Sequence, residues 1–130
     1  MITAEDVHGT WRLTAVRAVD ASGAPLPDPY GPVPMGRLVL RPDGRMIAMV
    51  SDGRTALPPG AVRAYASYCG NYVVEDATLK TLVDAAHLPS MVGTIAVRRL
   101  ELHDGELSLL PPRQPDGRQH DLRWERAGPA

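Results

Sequence analysis

A chain of 130 residues and 14.0 kDa has room for one hydrophobic core and not for two, so a single domain over residues 1–130 is expected. Fourteen Lys and Arg stand against fifteen Asp and Glu, for a formal charge of −1 and a pI near 6.4, and the basic residues are scattered; no concentrated basic face is available for phosphates, which excludes nucleic acid as a partner. No apolar run approaches the ~18 residues of a membrane span, the start Met1-Ile2-Thr3-Ala4-Glu5-Asp6 has no basic or apolar leader, and the one cysteine, Cys69, has no partner for an internal disulfide. A cytoplasmic protein with no membrane partner is expected, without structural metal, because no Cys/His cluster has zinc-ligand spacing.

Short strand-like segments follow one another along the chain. A possible helical turn capped by Thr3 precedes a β-rich run from Thr10 to Val19. The loop from Asp20 to Met35 carries five prolines (Pro25, Pro27, Pro29, Pro32 and Pro34), which forbid both helix and central strand. A loop of that length is suited to a lid or a binding role. Gly36–Arg41 and Arg45–Ser51 flank Pro42-Asp43-Gly44 and read as a hairpin. Pro58-Pro59 is a start signal for a short helix through Tyr65 and Ser67.

Strands then resume over Tyr68–Glu75 and Thr78–Ala86, with a turn near Asp76-Ala77. After the breaker His87-Leu88-Pro89-Ser90 come Thr94–Leu102, the turn His103-Asp104-Gly105, Glu106–Leu110, a loop over Pro111–Gly117 and a last strand over Arg118–Arg126. Eight strands result. Trp11 at one end of the series and Trp124 at the other are placed as the two ends of a small antiparallel barrel that closes on itself, with an interior that takes packed side chains or one small ligand.

Six segments in order, Gly9-Thr10-Trp11-Arg12-Leu13, Gly36-Arg37-Leu38 with Pro42-Asp43-Gly44-Arg45-Met46, Tyr68-Cys69-Gly70-Asn71-Tyr72, Pro89-Ser90-Met91-Val92-Gly93-Thr94, Arg98-Arg99-Leu100-Glu101-Leu102 and Trp124-Glu125-Arg126, resemble the bacterial lipocalin-like domain family over nearly the whole chain. The resemblance implies an all-β, eight-stranded, up-and-down barrel with an apolar ligand cavity. It does not imply one activity, since relatives include carriers and small-molecule cyclases or isomerases. Where relatives are usually aromatic, this chain has Met91, Arg99 and Leu100, and it has no Phe at all. A wider, more aliphatic cavity is expected.

Alternation along the strands gives a list of inward positions. With Trp11 inward, Leu13, Ala15 and Arg17 share its face, while Arg12, Thr14 and Val16 face out. The same rule places inside Leu38 and Leu40, then Met46, Ala48 and Val50, then Tyr68, Gly70 and Tyr72. It adds Leu79, Thr81 and Val83, then Ala96, Arg98 and Leu100, and finally His120, Leu122 and Trp124. Candidate ligand-binding residues are therefore Arg17, Leu38, Leu40, Met46, Ala48, Tyr72, Thr81, Val83, Leu100 and Leu122.

Three inward polar residues are candidates for chemistry. An inward guanidinium at Arg98 needs a partner, no inward carboxylate is apparent, and a ligand carboxylate, enolate or phenolate would satisfy it; a slip of one residue would exchange it with Arg99. His120 is the residue best able to move a proton near neutral pH if the last strand begins by Arg118, and otherwise it is a solvated loop residue. Tyr68 adds a polar-tipped aromatic wall. Tyr30 and Tyr65 are expected to reach water at the rim, and His87 lies at the rim as either a lid or a surface residue. Arg126 is expected to stack on Trp11 or cap the closed end.

No G-x-S-x-G setting or Gly-rich strand-to-helix turn is present, so covalent catalysis and nucleotide cofactors are not expected. Two functions fit. One is a cofactor-free cyclase, isomerase or lyase acting on an oxygenated apolar metabolite of polyketide type, with catalytic residues Arg98, His120 and Tyr68; the other is a carrier or sensor of the same kind of hydrophobic small molecule. An outward apolar strip of Val39, Ile47 and Met49 suggests a homodimer unless the helix near Ala61–Tyr65 covers it.

Overall fold

Thr3 opens the chain's short helix as the capping pattern predicts. Asp6, three residues on, accepts hydrogen bonds from the Thr3 N–H at 2.8 Å and from its hydroxyl at 3.1 Å, and the turn α1 runs Ala4–Val7. The computed structural model describes residues 1–128. After α1 come β1 (Gly9–Val19), β2 (Pro34–Leu40), β3 (Arg45–Asp52), β4 (Tyr65–Glu75), β5 (Thr78–Ala86), β6 (Ile95–His103), β7 (Glu106–Leu110) and β8 (Gln119–Gly128), with a 3₁₀ turn at Pro89–Met91. Each strand pairs antiparallel with the next and β8 returns to β1, which closes an eight-stranded up-and-down barrel. No helix among the described residues is long and apolar enough to cross a membrane.

The two ends of this barrel differ because their connections differ. At one end the hairpins are tight: Gly44, the Asp76-Ala77 pair and the Asp104-Gly105 pair all take positive φ, the conformation that matches the strands' right-handed twist. The N-terminal segment covers this end. Val7 is fully buried, the Trp11 indole donates to its carbonyl at 2.9 Å, and the Arg126 guanidinium lies 4.3 Å from the centre of the Trp11 ring. Arg126 also donates to the carbonyls of His8 and Asp6. The expected stacking and capping role of Arg126 is thus observed. At the opposite end lie the four longer connections, 20–33, 53–64, 87–94 and 111–118.

Two expectations are overturned here. Arg17 does not face inward. Leu13 pairs with Trp124 and Ala15 with Arg123, so Thr14 is an extra residue on β1; this bulge reverses the alternation, and Val16 and Ala18 are buried while Arg17 is exposed. The helix after Pro58-Pro59 does not form. The strand β4 begins at Tyr65, which pairs with Ser51, and the Asp52 N–H bonds the Ala64 carbonyl at 2.9 Å, so the segment is drawn out to meet β3. The outward strip is consequently not covered by a helix: Ile47 is 52 % exposed, with Val39 and Met49 half-buried beside it.

Candidate functional site

Inside the barrel the closed half is solid. Trp11, Leu38, Leu40, Met46, Tyr72, Leu79, Leu100 and Leu107 pack there as one apolar cluster. Leu38, Leu40, Met46, Tyr72 and Leu100 are therefore inward as alternation requires, yet they are core rather than cavity wall. Tyr72 is held at that end by a 2.6 Å bond from its hydroxyl to the Arg41 carbonyl. Thr81 and Val83 are fully buried in the wall of β5 and do not reach the cavity either.

In the open half the small side chains Ala48 on β3 and Ala66 on β4 leave space, and a cavity of about 250 Å³ results. Its apolar wall comes from Ala48, Val50, Ala66, Leu109 and Leu122, and the Trp124 ring lies among them. Met49 and Pro111 add to the lining, and it is here that Tyr68 of β4, Arg98 of β6 and His120 of β8 come together on three separate strands. Pairing of Leu79 with Arg98 fixes the phase of β6, so Arg98 faces in and the exposed Arg99 faces out. The position of His120 follows from its pairing with Ala18 on β1, which makes it a strand residue rather than a solvated loop residue.

The polar groups form an unbalanced set. The Arg98 guanidinium lies 5.6 Å from the centre of the Tyr68 ring and donates to its neighbour Val97 carbonyl at 2.8 Å, and none of the ion pairs among the described residues includes it. No lining residue is acidic. Burial pushes the Tyr68 hydroxyl above its ordinary range, with Arg98 pulling the other way, and the Tyr30 hydroxyl is raised by burial against the same opposing charge. Both stay protonated at neutral pH and can donate. Burial, aided by Arg118, holds His120 below its ordinary value, and its imidazole makes no hydrogen bond among the described residues, so the ring is neutral with a free lone pair. The indole N–H of Trp124, a residue 1 % exposed, has no acceptor.

Tyr30 was expected at the rim with its tip in water; instead it is half-buried and lines the cavity. The proline-rich loop that carries it is tied to the 53–64 loop. Gly31, at φ +74°, sits so close to Asp52 that a Cβ there would come 2.6 Å from Oδ2. Asp52 is 4 % exposed, ion-paired to Arg54 at 2.6 Å, and Arg63 donates to the carbonyls of Asp52 and Arg54 at 2.7 Å each. A backbone bond of 2.7 Å from Gly53 to Val33 completes the tie. The sequence signal for Tyr30 is that it is the one aromatic residue in this loop. His87, by contrast, is structural: its Nδ1 accepts the Ser67 N–H at 3.1 Å and its ring lies 5.0 Å from that of Tyr65.

The cavity is not wide. At about 250 Å³ it falls below the usual size of ligand pockets, correcting the expectation of a wider cup; Leu100 is packed core, Arg99 points outward and Met91 lies on the 3₁₀ turn. A larger groove of about 450 Å³ runs between β1 and the proline-rich loop on the outside of the barrel, and Arg17 lies there. It brings together no comparable set of polar groups.

The sequence profile of the lipocalin-like domain family matches residues 8–127, nearly the entire chain. This chain belongs to the lipocalin-like domain family. A solved structure of a lipocalin-like protein from Bacteroides uniformis is similar to it, with 15 % identity, a TM-score of 0.47, and coverage of 92 % of this chain and 98 % of that one. No curated protein matches. Membership gives this lipocalin-like barrel a small-molecule-binding fold; which molecule, and whether it is transformed, rests on the cavity.

Proposed function

We propose that the cavity takes up an apolar, oxygenated molecule of one or two rings and moves a proton on it, as a cofactor-free isomerase or cyclase. An apolar cavity of about 150 Å³ accommodates benzene, so about 250 Å³ suits a bicyclic ligand rather than a long chain. The single observation that carries the reading is the convergence of Arg98, Tyr68 and His120 on this one cavity. The neutral His120 imidazole takes a proton from carbon next to a carbonyl, the electron pair moves onto the carbonyl oxygen, and Arg98 and the Tyr68 hydroxyl hold the enolate so formed. In a substrate whose enolate is conjugated with a C=C bond, return of the proton from His120 to the far carbon shifts the double bond and isomerises the molecule; attack of the enolate carbon on a second carbonyl carbon of the same molecule closes a ring, breaking that carbonyl's π bond and leaving its oxygen to take the proton from His120. Enolisable compounds of polyketide type would suit such a step. The raised Tyr68 hydroxyl serves as donor, which leaves His120 as the base.

A carrier is the second reading, favoured by the cavity's small size and the loops tied across its mouth. The two are separated by deuterium exchange at the acidic carbon of 2-tetralone in D₂O, followed by NMR. The enzyme reading expects exchange above that of free imidazole at equal concentration, and a fall of ~10²-fold in His120→Leu. Binding of 2-tetralone without any exchange above that level leaves the carrier reading.

A further inference from the structure

The polar lining of the cavity consists of the Arg98 cation, the Tyr68 and Tyr30 hydroxyls and the neutral His120 imidazole, with no anionic group among them. Arg98 offers five N–H groups, of which one is committed to the Val97 carbonyl, and a guanidinium does not lose its charge in a protein. Beside it stand Tyr68 and Tyr30, both sensing the Arg98 charge and both held protonated by burial, so neither supplies a counter-ion. The indole N–H of Trp124 has no acceptor. Facing this set is an aliphatic wall of Ala48, Val50, Leu109 and Leu122, which weakens solvent screening and strengthens any charge brought into it.

A partly buried cation with no carboxylate partner is tolerated at a cost, and the group that removes the cost is a ligand anion. We infer that the bound molecule is an organic monoanion, a cyclic carboxylate or enolised dicarbonyl, whose charged oxygen sits at Arg98 with the Tyr68 and Tyr30 hydroxyls as flanking donors. The inference rests on the reading of the cavity as the ligand site and adds the charge state that the site selects. It also gives the proline-rich loop a chemical part, since Tyr30 lines the cavity from the loop whose Gly31 lies against Asp52.

The probe pair 2-naphthoate and 2-naphthamide separates charge from shape, because the two are nearly isosteric. Titration calorimetry on the parent protein is expected to show naphthoate binding about 10- to 100-fold more tightly, the difference carried by charge-assisted hydrogen bonds. In Arg98→Met the preference is expected to vanish through loss of naphthoate affinity, with naphthamide changing by less than about 3-fold; Arg98→Lys retains part of it. Equal affinity of the two probes for the parent protein overturns the anion inference while leaving the cavity as a ligand site. A preference that survives Arg98→Met in a folded protein also overturns it. If neither probe binds, both this inference and the cavity reading fail. The comparison on the parent protein does not depend on any variant folding.

Discussion

Trp11→Ala tests the closed end of the barrel on which everything above it depends. Trp11 is 1 % exposed, lies in the apolar cluster, donates its indole N–H to the Val7 carbonyl at 2.9 Å and is covered by Arg126 at 4.3 Å. Truncating a buried aromatic residue to Ala costs about 3–5 kcal/mol, since the strands on either side cannot collapse into the space of a ring. Domains of this kind have about 5–15 kcal/mol of stability, so the variant is expected to lose a large fraction of the total. Trp11→Phe separates the contributions: it keeps most of the apolar volume but leaves the Val7 carbonyl without its donor, a loss of about 1–3 kcal/mol. A double-mutant cycle with Arg126→Met isolates the stacking contact, expected at about 0.5–1 kcal/mol. Urea denaturation followed by circular dichroism measures each quantity, with an unchanged dependence on urea confirming that the unfolded state is the same. A loss below about 1 kcal/mol for Trp11→Ala, as for a surface position, would refute the placement of Trp11 and with it the argument for a solid closed half.

Gly70→Ala is expected to destabilise by about 1–3 kcal/mol or more, because a Cβ at Gly70 would lie 2.0 Å from the Leu82 carbonyl oxygen, a backbone atom that cannot turn aside; urea denaturation reads the loss. Ala48→Leu, at a cavity-lining position, is expected to abolish binding of 2-naphthoate in calorimetry while changing stability by less than about 1.5 kcal/mol, since the added methyl groups enter existing space. His120 has a folded-state pKa below its ordinary 6.5, so as pH falls the unfolded chain takes up the proton first. Its contribution to stability is complete above about 6.5 and is lost as pH falls from there toward the folded value; the decline of stability over that window is expected to be shallower in His120→Gln, measured by urea midpoints. Through the face carrying Ile47 and Met49 the protein is expected to self-associate at high concentration, with Ile47→Glu restoring a mass of 14.0 kDa in light scattering. A parent protein that stays at 14.0 kDa rules this out.

Local chemistry was enough for the skeleton. Pro42-Asp43-Gly44 and Asp104-Gly105 specify tight turns wherever they stand, and period-2 alternation survives along any stretch of strand without a bulge, so Leu38, Met46, Leu79 and Trp124 face inward as read. Trp11 and Arg126 were legible as partners because the chain's ends must meet when a barrel closes. What sequence could not contain is information held by the partner strand. The extra residue at Thr14 exists only relative to Leu13–Trp124 and Ala15–Arg123 pairing, and it turned Arg17 from the interior to the surface. Alternation alone left Arg98 and Arg99 interchangeable until pairing with Leu79 chose between them. Pro58-Pro59 carries a helix signal, but pairing of β4 with the end of β3 stretched the segment instead. Tyr30 enters the cavity because two loops, remote in sequence, meet at Gly31 and Asp52. Which inward residues are core and which line a cavity was likewise a tertiary outcome: it depends on how completely side chains from all eight strands fill each level of the barrel, and the level of Ala48 and Ala66 is left unfilled.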